Sequence, residues 1–228
     1  MSRTKSEHFS NFSLSVVIPT LNAAATLPGC LASLRPGAPL IREIIVVDGG
    51  SMDGTLQLTE AAIVLNTPAG RGGQLRAGIA AASGDFLLLL HADTCLSPNW
   101  PKAVAAASPD LAGYFHLRLD SPRRMARMIE RIVALRCRAL SLPYGDQGLL
   151  ISRALLVQFG GMPDLPLMED VALARRLKGR LRPLPATATT SAAKYEHDGW
   201  LQRPLRNLLC LTMYFAGVPP ETIRKFYG

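Results

Sequence analysis

REIIVVDGG, residues 42–50, is a run of apolar, mostly β-branched residues that ends on a carboxylate and two glycines. Such a run has no polar alternation, so it reads as a strand covered on both faces, the kind found inside parallel sheets. Working outward, LSVVIPT (14–20) is a second strand of this kind, AIVLNT (62–67) a third and DFLLLLHAD (85–93) a fourth. Between them lie helical stretches, TLPGCLASLR (26–35), DGTLQLTEAA (53–62) and GQLRAGIAAAS (73–83). Strands alternating with helices predict an α/β fold, a Rossmann-like, mostly parallel sheet flanked by helices.

In an open sheet of this kind ligands bind beyond the carboxyl ends of the strands. The residues following each run are therefore the candidates: Pro19-Thr20-Leu21-Asn22, Asp48-Gly49-Gly50-Ser51 and His91-Ala92-Asp93-Thr94. Asp48 can accept hydrogen bonds from a base N–H or a ribose hydroxyl, and Gly49 lets the backbone approach. The same carboxylate would equally suit a strand-to-helix turn capped by Ser51 or Asp53. Asp93 ends the most apolar strand and suits a Mg or Mn ion whose other ligands are phosphate oxygens and water; capping the turn into residues 97–104 is the competing role. His91 is a further candidate for metal or phosphate. Gly70-Arg71-Gly72-Gly73-Gln74 places backbone N–H groups and a guanidinium at a helix start, which suits an anion, yet matches neither common phosphate-loop spacing. Glu169 and Asp170 open EDVALARRLK, where they favour the helix dipole or supply a general base.

The second half is less regular. It contains an extended AGYFHLRL (112–119), a basic helix near 123–140, LPYGDQ (142–147), the Glu169-Asp170 helix and a Pro/Thr-rich strand. No linker separates domains, so residues 1–13 read as a flexible lead and 14–228 as one domain of two halves, 14–110 and 111–228. Within 228 residues the formal charge is +8, unevenly placed: residues 1–114 hold 7 basic and 8 acidic side chains, and 115–228 hold 18 and 9. That asymmetry favours anionic partners. The basic helix reads with Met125, Met128, Ile129, Ile132, Val133, Leu135 and Ala139 on one arc, opposite Arg124, Arg127, Arg131 and Arg138. Such a helix either packs with a solvated outer face or rests on an anionic membrane. No zinc pattern, recognition helix or aromatic platform points to nucleic acid. Cys30, Cys95, Cys137 and Cys210 have no paired spacing and read as free thiols. Without an apolar leader the expected location is cytoplasmic, with peripheral contact at the inner face of the membrane as an extension.

Taken together, SVVIPTLNAAATLPGCLASL, IIVVDGGSMDGT, RGGQLRAGIAAASGDFLLLLHADT and PLMEDVALARRL resemble the family 2 glycosyltransferases, which have the A-type, nucleotide-diphospho-sugar transferase fold. LPYGDQ, TTSA (189–192) and GWL (199–201) are similar to the radical-SAM/selenodomain-associated transferase 2 subgroup. The resemblance implies inverting transfer of a sugar from a nucleotide-diphosphate donor to an acceptor hydroxyl; the membrane reading of the basic helix would add a lipid-linked acceptor. It implies that Pro19, Thr20, Asn22, Asp48, Gly49, Ser51, Arg71, Gln74 and Ala92 line the nucleotide pocket. Asp93 then answers to the last carboxylate of a D-x-D motif, with His91 in place of the first. Asp170 becomes the base beside Glu169, and Tyr144, Gly145, Asp146, Gln147 and Trp200 border the acceptor. A sugar-phosphate nucleotidylyltransferase and a non-catalytic anion- or membrane-binding module are the competing readings; the first lacks the N-terminal Gly-rich loop with Arg and Lys that activates a triphosphate.

Overall fold

β1 (Leu14–Thr20) lies inside the sheet because nearly every one of its residues is buried, as the two-sided apolar pattern requires. The computed structural model describes residues 12–59 and 62–227. The expected lead, residues 1–13, falls mostly outside that range. β1 pairs in parallel with β2 (Ile41–Asp48) on one side and β4 (Phe86–Leu89) on the other, and β2 pairs in parallel with β3 (Ile63–Asn66). β5 (Thr94–Leu96), β6 (Ala112–Asp120), β7 (Leu149–Ser152) and β8 (Leu181–Ser191) complete a sheet of order β3-β2-β1-β4-β7-β6-β8-β5. β7 runs antiparallel to both β4 and β6, and β5 antiparallel to β8, so the parallel pattern is interrupted in the second half. The reversal of β7 delivers residues 144–148, which precede it, to the same rim as the carboxyl ends of β1, β2 and β4.

Alternate residues of one strand face opposite sides, and two apolar layers result. Val17, Ile45, Val47, Leu87 and Leu89 meet α2 (Arg71–Ala81), α6 (Glu169–Arg176) and α8 (Gln202–Phe215) through Leu75, Leu173 and Cys210. Val16, Ile18, Leu88 and Leu90 meet α1 (Leu27–Leu34) and α3 (Trp100–Ala105) through Leu27, Cys30 and Trp100. α2 reaches the sheet closely at Gly78, where an added Cβ would lie 2.4 Å from Val17 Cγ1 and 2.9 Å from Val47 Cγ2. Gly78→Ala therefore lowers unfolding stability by about 1–3 kcal/mol despite the better helix propensity of alanine; a urea melt equal to wild type would contradict this.

Two expectations need correction. DGTLQLTEAA forms only a short 3-10 turn, Thr55–Leu58, within the described residues. Asp53 fixes the start of the turn by accepting from the Thr55 N–H and hydroxyl and from Ala24 N–H, and Thr59 closes it by donating its N–H and hydroxyl to the Leu56 carbonyl, a local alternative to helix bonding. α4 (Arg124–Leu140) is the basic helix, but its apolar arc is not its buried arc. Ala126, Ile129 and Cys137 are buried, whereas Met128, Ile132 and Leu135 are exposed beside Arg124, Arg131 and Arg138. At 100° per residue the arginines adjoin the exposed apolar row rather than oppose it. α5 (Arg153–Gln158), α7 (Ala193–Asp198) and α9 (Pro220–Tyr227) complete the helices. All four cysteines are free, Cys95 being partly exposed and the others buried.

Candidate active site

The rim begins where β1 and β2 end. Asp48 is fully buried, and its carboxylate accepts from Gly50 N (2.8 Å), Ser51 N (2.7 Å), Ser51 Oγ (2.5 Å) and Thr20 Oγ1 (3.1 Å). Burial pushes its carboxyl up, but these donors outweigh burial and hold it below the usual range. In this conformation Asp48 shapes the turn, and its oxygens are already engaged. Gln74, also buried, donates to the Thr20 and Val47 carbonyls at 2.7 and 2.8 Å and so ties α2 to both strand ends.

The loops that follow are joined to each other. Asn22 N donates to Ser51 Oγ (2.8 Å), Met52 N to Asn22 Oδ1 (2.9 Å) and Ala23 N to Thr55 Oγ1 (2.8 Å). Asn22 takes φ 50°, a left-handed conformation that asparagine tolerates better than most residues. Pro19, Thr20, Asn22, Asp48, Gly49 and Ser51 thus share one corner of the rim.

A second group gathers around Arg71. Its Nε donates to Glu169 Oε1, and its Nη2 lies 3.6 Å from Asp170 Oδ2. Glu169 is 1% exposed, and burial pushes its carboxyl up against the pull of Arg71. Burial likewise opposes the charge on Arg71, but Asp170 and Glu169 prevail and hold the guanidinium above its ordinary value. Asp170 sits at the start of α6, where Oδ1 accepts from Val171 N (2.8 Å) and Oδ2 from Gly145 N (2.9 Å). Met168, just before the pair, takes φ 67°, a strained conformation for a methionine, and its burial holds it there.

Gly145 is pressed between two other groups of the site: an added Cβ would lie 2.6 Å from His91 Nε2 and 3.5 Å from Asp170 Oδ2. His91 and Asp170 therefore face one recess, which Tyr144, Leu75 and Leu173 also line. Burial, then Arg71, hold the imidazole down to about 4, so His91 is neutral at pH 7 with one ring nitrogen free to accept. Asp93 follows β4; its Oδ1 takes weak contacts from Thr94 and Thr190 at 3.4 and 3.3 Å, and its Oδ2 takes no hydrogen bond from the described residues.

The acceptor-side candidates divide. Asp146 is buried enough to be pushed up to about 6, and its Oδ1 has no partner among the described residues. Gln147 turns inward, donating to the Phe115 carbonyl (3.1 Å) and accepting from Tyr144 N, Arg136 and Cys137. Trp200 stacks on Tyr195 with centroids 5.6 Å apart, beside a small cluster of Leu119, Ala126, Ile129 and Ala192. Ala92 is buried in the layer beneath the rim. Arg136, absent from the sequence-based candidates, covers the Tyr144 ring at 3.4 Å and donates to the Leu142 carbonyl, so it fixes the loop that reaches Asp170. Its position among seven other arginines between 118 and 153 gave no signal.

Comparison with known proteins agrees with this fold. Residues 15–118, a little under half of the chain, match the family model described as Glycosyl transferase family 2. The chain is 38% identical over 91 residues to a PGL/p-HBAD biosynthesis glycosyltransferase of Mycobacterium tuberculosis, covering 36% of this chain and 36% of that one. It is 31% identical over 157 residues to an undecaprenyl-phosphate 4-deoxy-4-formamido-L-arabinose transferase of Yersinia pestis, covering 60% of this chain and 47% of that one. It thus spans about a third to a half of such curated relatives. Among solved structures, glucosyl-3-phosphoglycerate synthase from Mycobacterium tuberculosis, in complex with Mn2+, UDP and glucosyl-3-phosphoglycerate, superposes with a TM-score of 0.59 at 22% identity, covering 81% of this chain and 72% of that one. TarS of S. aureus in complex with UDP gives 0.57 at 20% identity, covering 80% and 62%. The fold is that of the A-type glycosyltransferases.

Proposed function

We propose that the protein is a nucleotide-sugar-dependent glycosyltransferase that inverts configuration, with Asp170 as the base that takes the proton of the acceptor hydroxyl. The observation that carries this reading is the placement of Asp170 at a helix start, beside Arg71 and across Gly145 from His91. A carboxylate so placed can accept a proton while the Arg71 guanidinium faces negative charge on the departing diphosphate. The corner formed by Pro19, Thr20, Asn22, Asp48 and Ser51 receives the nucleotide, and the two solved relatives bound to UDP make a uridine donor the first choice. Tyr144, Gly145 and Asp146 meet the acceptor.

Asp93 and His91 fit a divalent cation: one carboxylate oxygen has no hydrogen bond from the described residues, and the imidazole is neutral. No group of three or more His, Cys, Asp or Glu that could hold a metal ion occurs among the described residues, so the donor's own phosphate oxygens would complete the set. When bound, Mg or Mn supplies positive charge against the leaving nucleotide.

The subgroup suggested by LPYGDQ, TTSA and GWL remains part of this reading, as does a cytoplasmic location. The Yersinia relative, named for its undecaprenyl-phosphate substrate, supports a lipid-linked acceptor and hence peripheral contact with the membrane. No helix among the described residues is long and apolar enough to cross a membrane. A thermal-shift panel of UDP-, GDP- and CDP-sugars tests the donor reading. At a hundredfold excess over Kd, binding adds about 2.7 kcal/mol and raises Tm by about 5–10 °C, for the UDP-sugar with Mn2+ above all. No shift with any nucleotide, metal present, would reject it.

A further inference from the structure

α8 carries apolar side chains on two sides. Inward, Cys210 and Leu211 join the core, and Arg203 donates to Asp198 Oδ2 (2.7 Å) and to the Tyr227 hydroxyl (3.2 Å). Its outward side is apolar, with Leu201, Leu205, Leu208, Leu209 and Phe215 exposed by 69, 66, 56, 45 and 49%. At 100° per residue these five fall within one arc of about 120°, with Thr212 and Ala216 between them and no charged side chain among them. The row is about 20 Å long at 1.5 Å per residue. Single exposed leucines need no explanation, whereas a continuous row of this length marks a docking surface.

Charge beside the row identifies the occupant. α9, which packs against α8, exposes Phe226 together with Arg224 and Lys225. Arg206 borders the row on α8 and is 41% exposed. α4 packs on the same apolar layer as α8 and shows Met128, Ile132 and Leu135 beside Arg124, Arg131 and Arg138. Apolar side chains edged by arginine and lysine are complementary to a bilayer with anionic headgroups, into which such a helix sinks while lying flat. A second copy of this chain would bring like charges together along the border.

We infer that the outward face of α8, with Phe226, Arg224 and Lys225 of α9, is the surface by which this protein docks on an anionic membrane. The inference rests on the peripheral placement proposed above and is independent of the transfer chemistry. It is tested by sedimenting the full chain with vesicles of phosphatidylcholine alone or mixed with phosphatidylglycerol. The wild type co-sediments with the anionic vesicles, and the double variant Leu205→Glu/Leu208→Glu loses at least about tenfold in partitioning. Arg224→Glu/Lys225→Glu loses the preference for anionic lipid. All four positions are exposed, so the variants keep the wild-type melting temperature and nucleotide-induced shift. Wild-type binding that the leucine variant retains would overturn the assignment of this surface while leaving peripheral placement intact. No wild-type binding at low salt would overturn both. A dimer that the leucine variant dissociates, with no vesicle binding, would assign the face to a second copy and overturn the inference.

Discussion

Asp170→Asn is expected to bind the donor nucleotide as tightly as the wild type and to transfer sugar about a thousandfold more slowly, the middle of the range for loss of a general base. Asparagine matches the shape of aspartate, and its single carbonyl oxygen can still accept from Gly145 N or Val171 N, so α6 keeps its start. What disappears is the negative charge beside Arg71 and the oxygen able to hold a proton. The proposed nucleotide corner, built from β1, β2 and Gln74, shares no hydrogen bond with Asp170, and Arg71 keeps its bond to Glu169, so binding is expected to survive. Turnover within twofold of wild type, measured with saturating donor and acceptor, would remove Asp170 from the base role.

Arg71→Ala is expected to affect both stability and rate. It leaves Glu169, 1% exposed, without its counter-ion. Breaking a buried pair costs about 3–5 kcal/mol; because the Arg71 side chain is itself 36% exposed and water screens the pair, about 1–3 kcal/mol is the better expectation. The pH dependence follows from the direction of the Glu169 shift. Burial raises its carboxyl in the folded state, so the folded variant prefers the protonated form. Its stability is full below the unfolded glutamate value of about 4.3 and is lost as pH rises through the higher folded value. The gap in Tm from wild type therefore widens between acid and neutral pH. Arg71→Met/Glu169→Gln, which removes both charges, recovers stability but not turnover, which falls about a hundredfold without the guanidinium. A pH-independent deficit, or full activity of the double variant, would refute the paired role.

Much of the first half was legible because burial on both faces leaves an unmistakable residue pattern. LSVVIPT, REIIVVDGG and DFLLLLHAD each became a strand in the expected register of polar ends. Direction was harder in the second half: LLIS at 149–152 has only four residues, and nothing in them says that β7 runs against β4. Residue types at the rim were readable, whereas their orientation was not. Asp48 and Gln74 are both buried and spend their hydrogen bonds inside the protein. The closeness of Asp170 to Arg71, 99 positions earlier, could be expected only from resemblance, since no local pattern encodes a contact of that span. The outward arc of α8 was hidden because apolar periodicity says that a helix has a greasy side, without saying which way it faces.

The bonds joining Asn22 to Ser51 and Met52, and Ala24 to Asp53, make the two segments after β1 and β2 interdependent in engineering. If this corner receives the donor as proposed, its preference cannot be transplanted by swapping either segment alone, since each would arrive without its reciprocal partners. Exchange of both together is the smallest graft that preserves the seam.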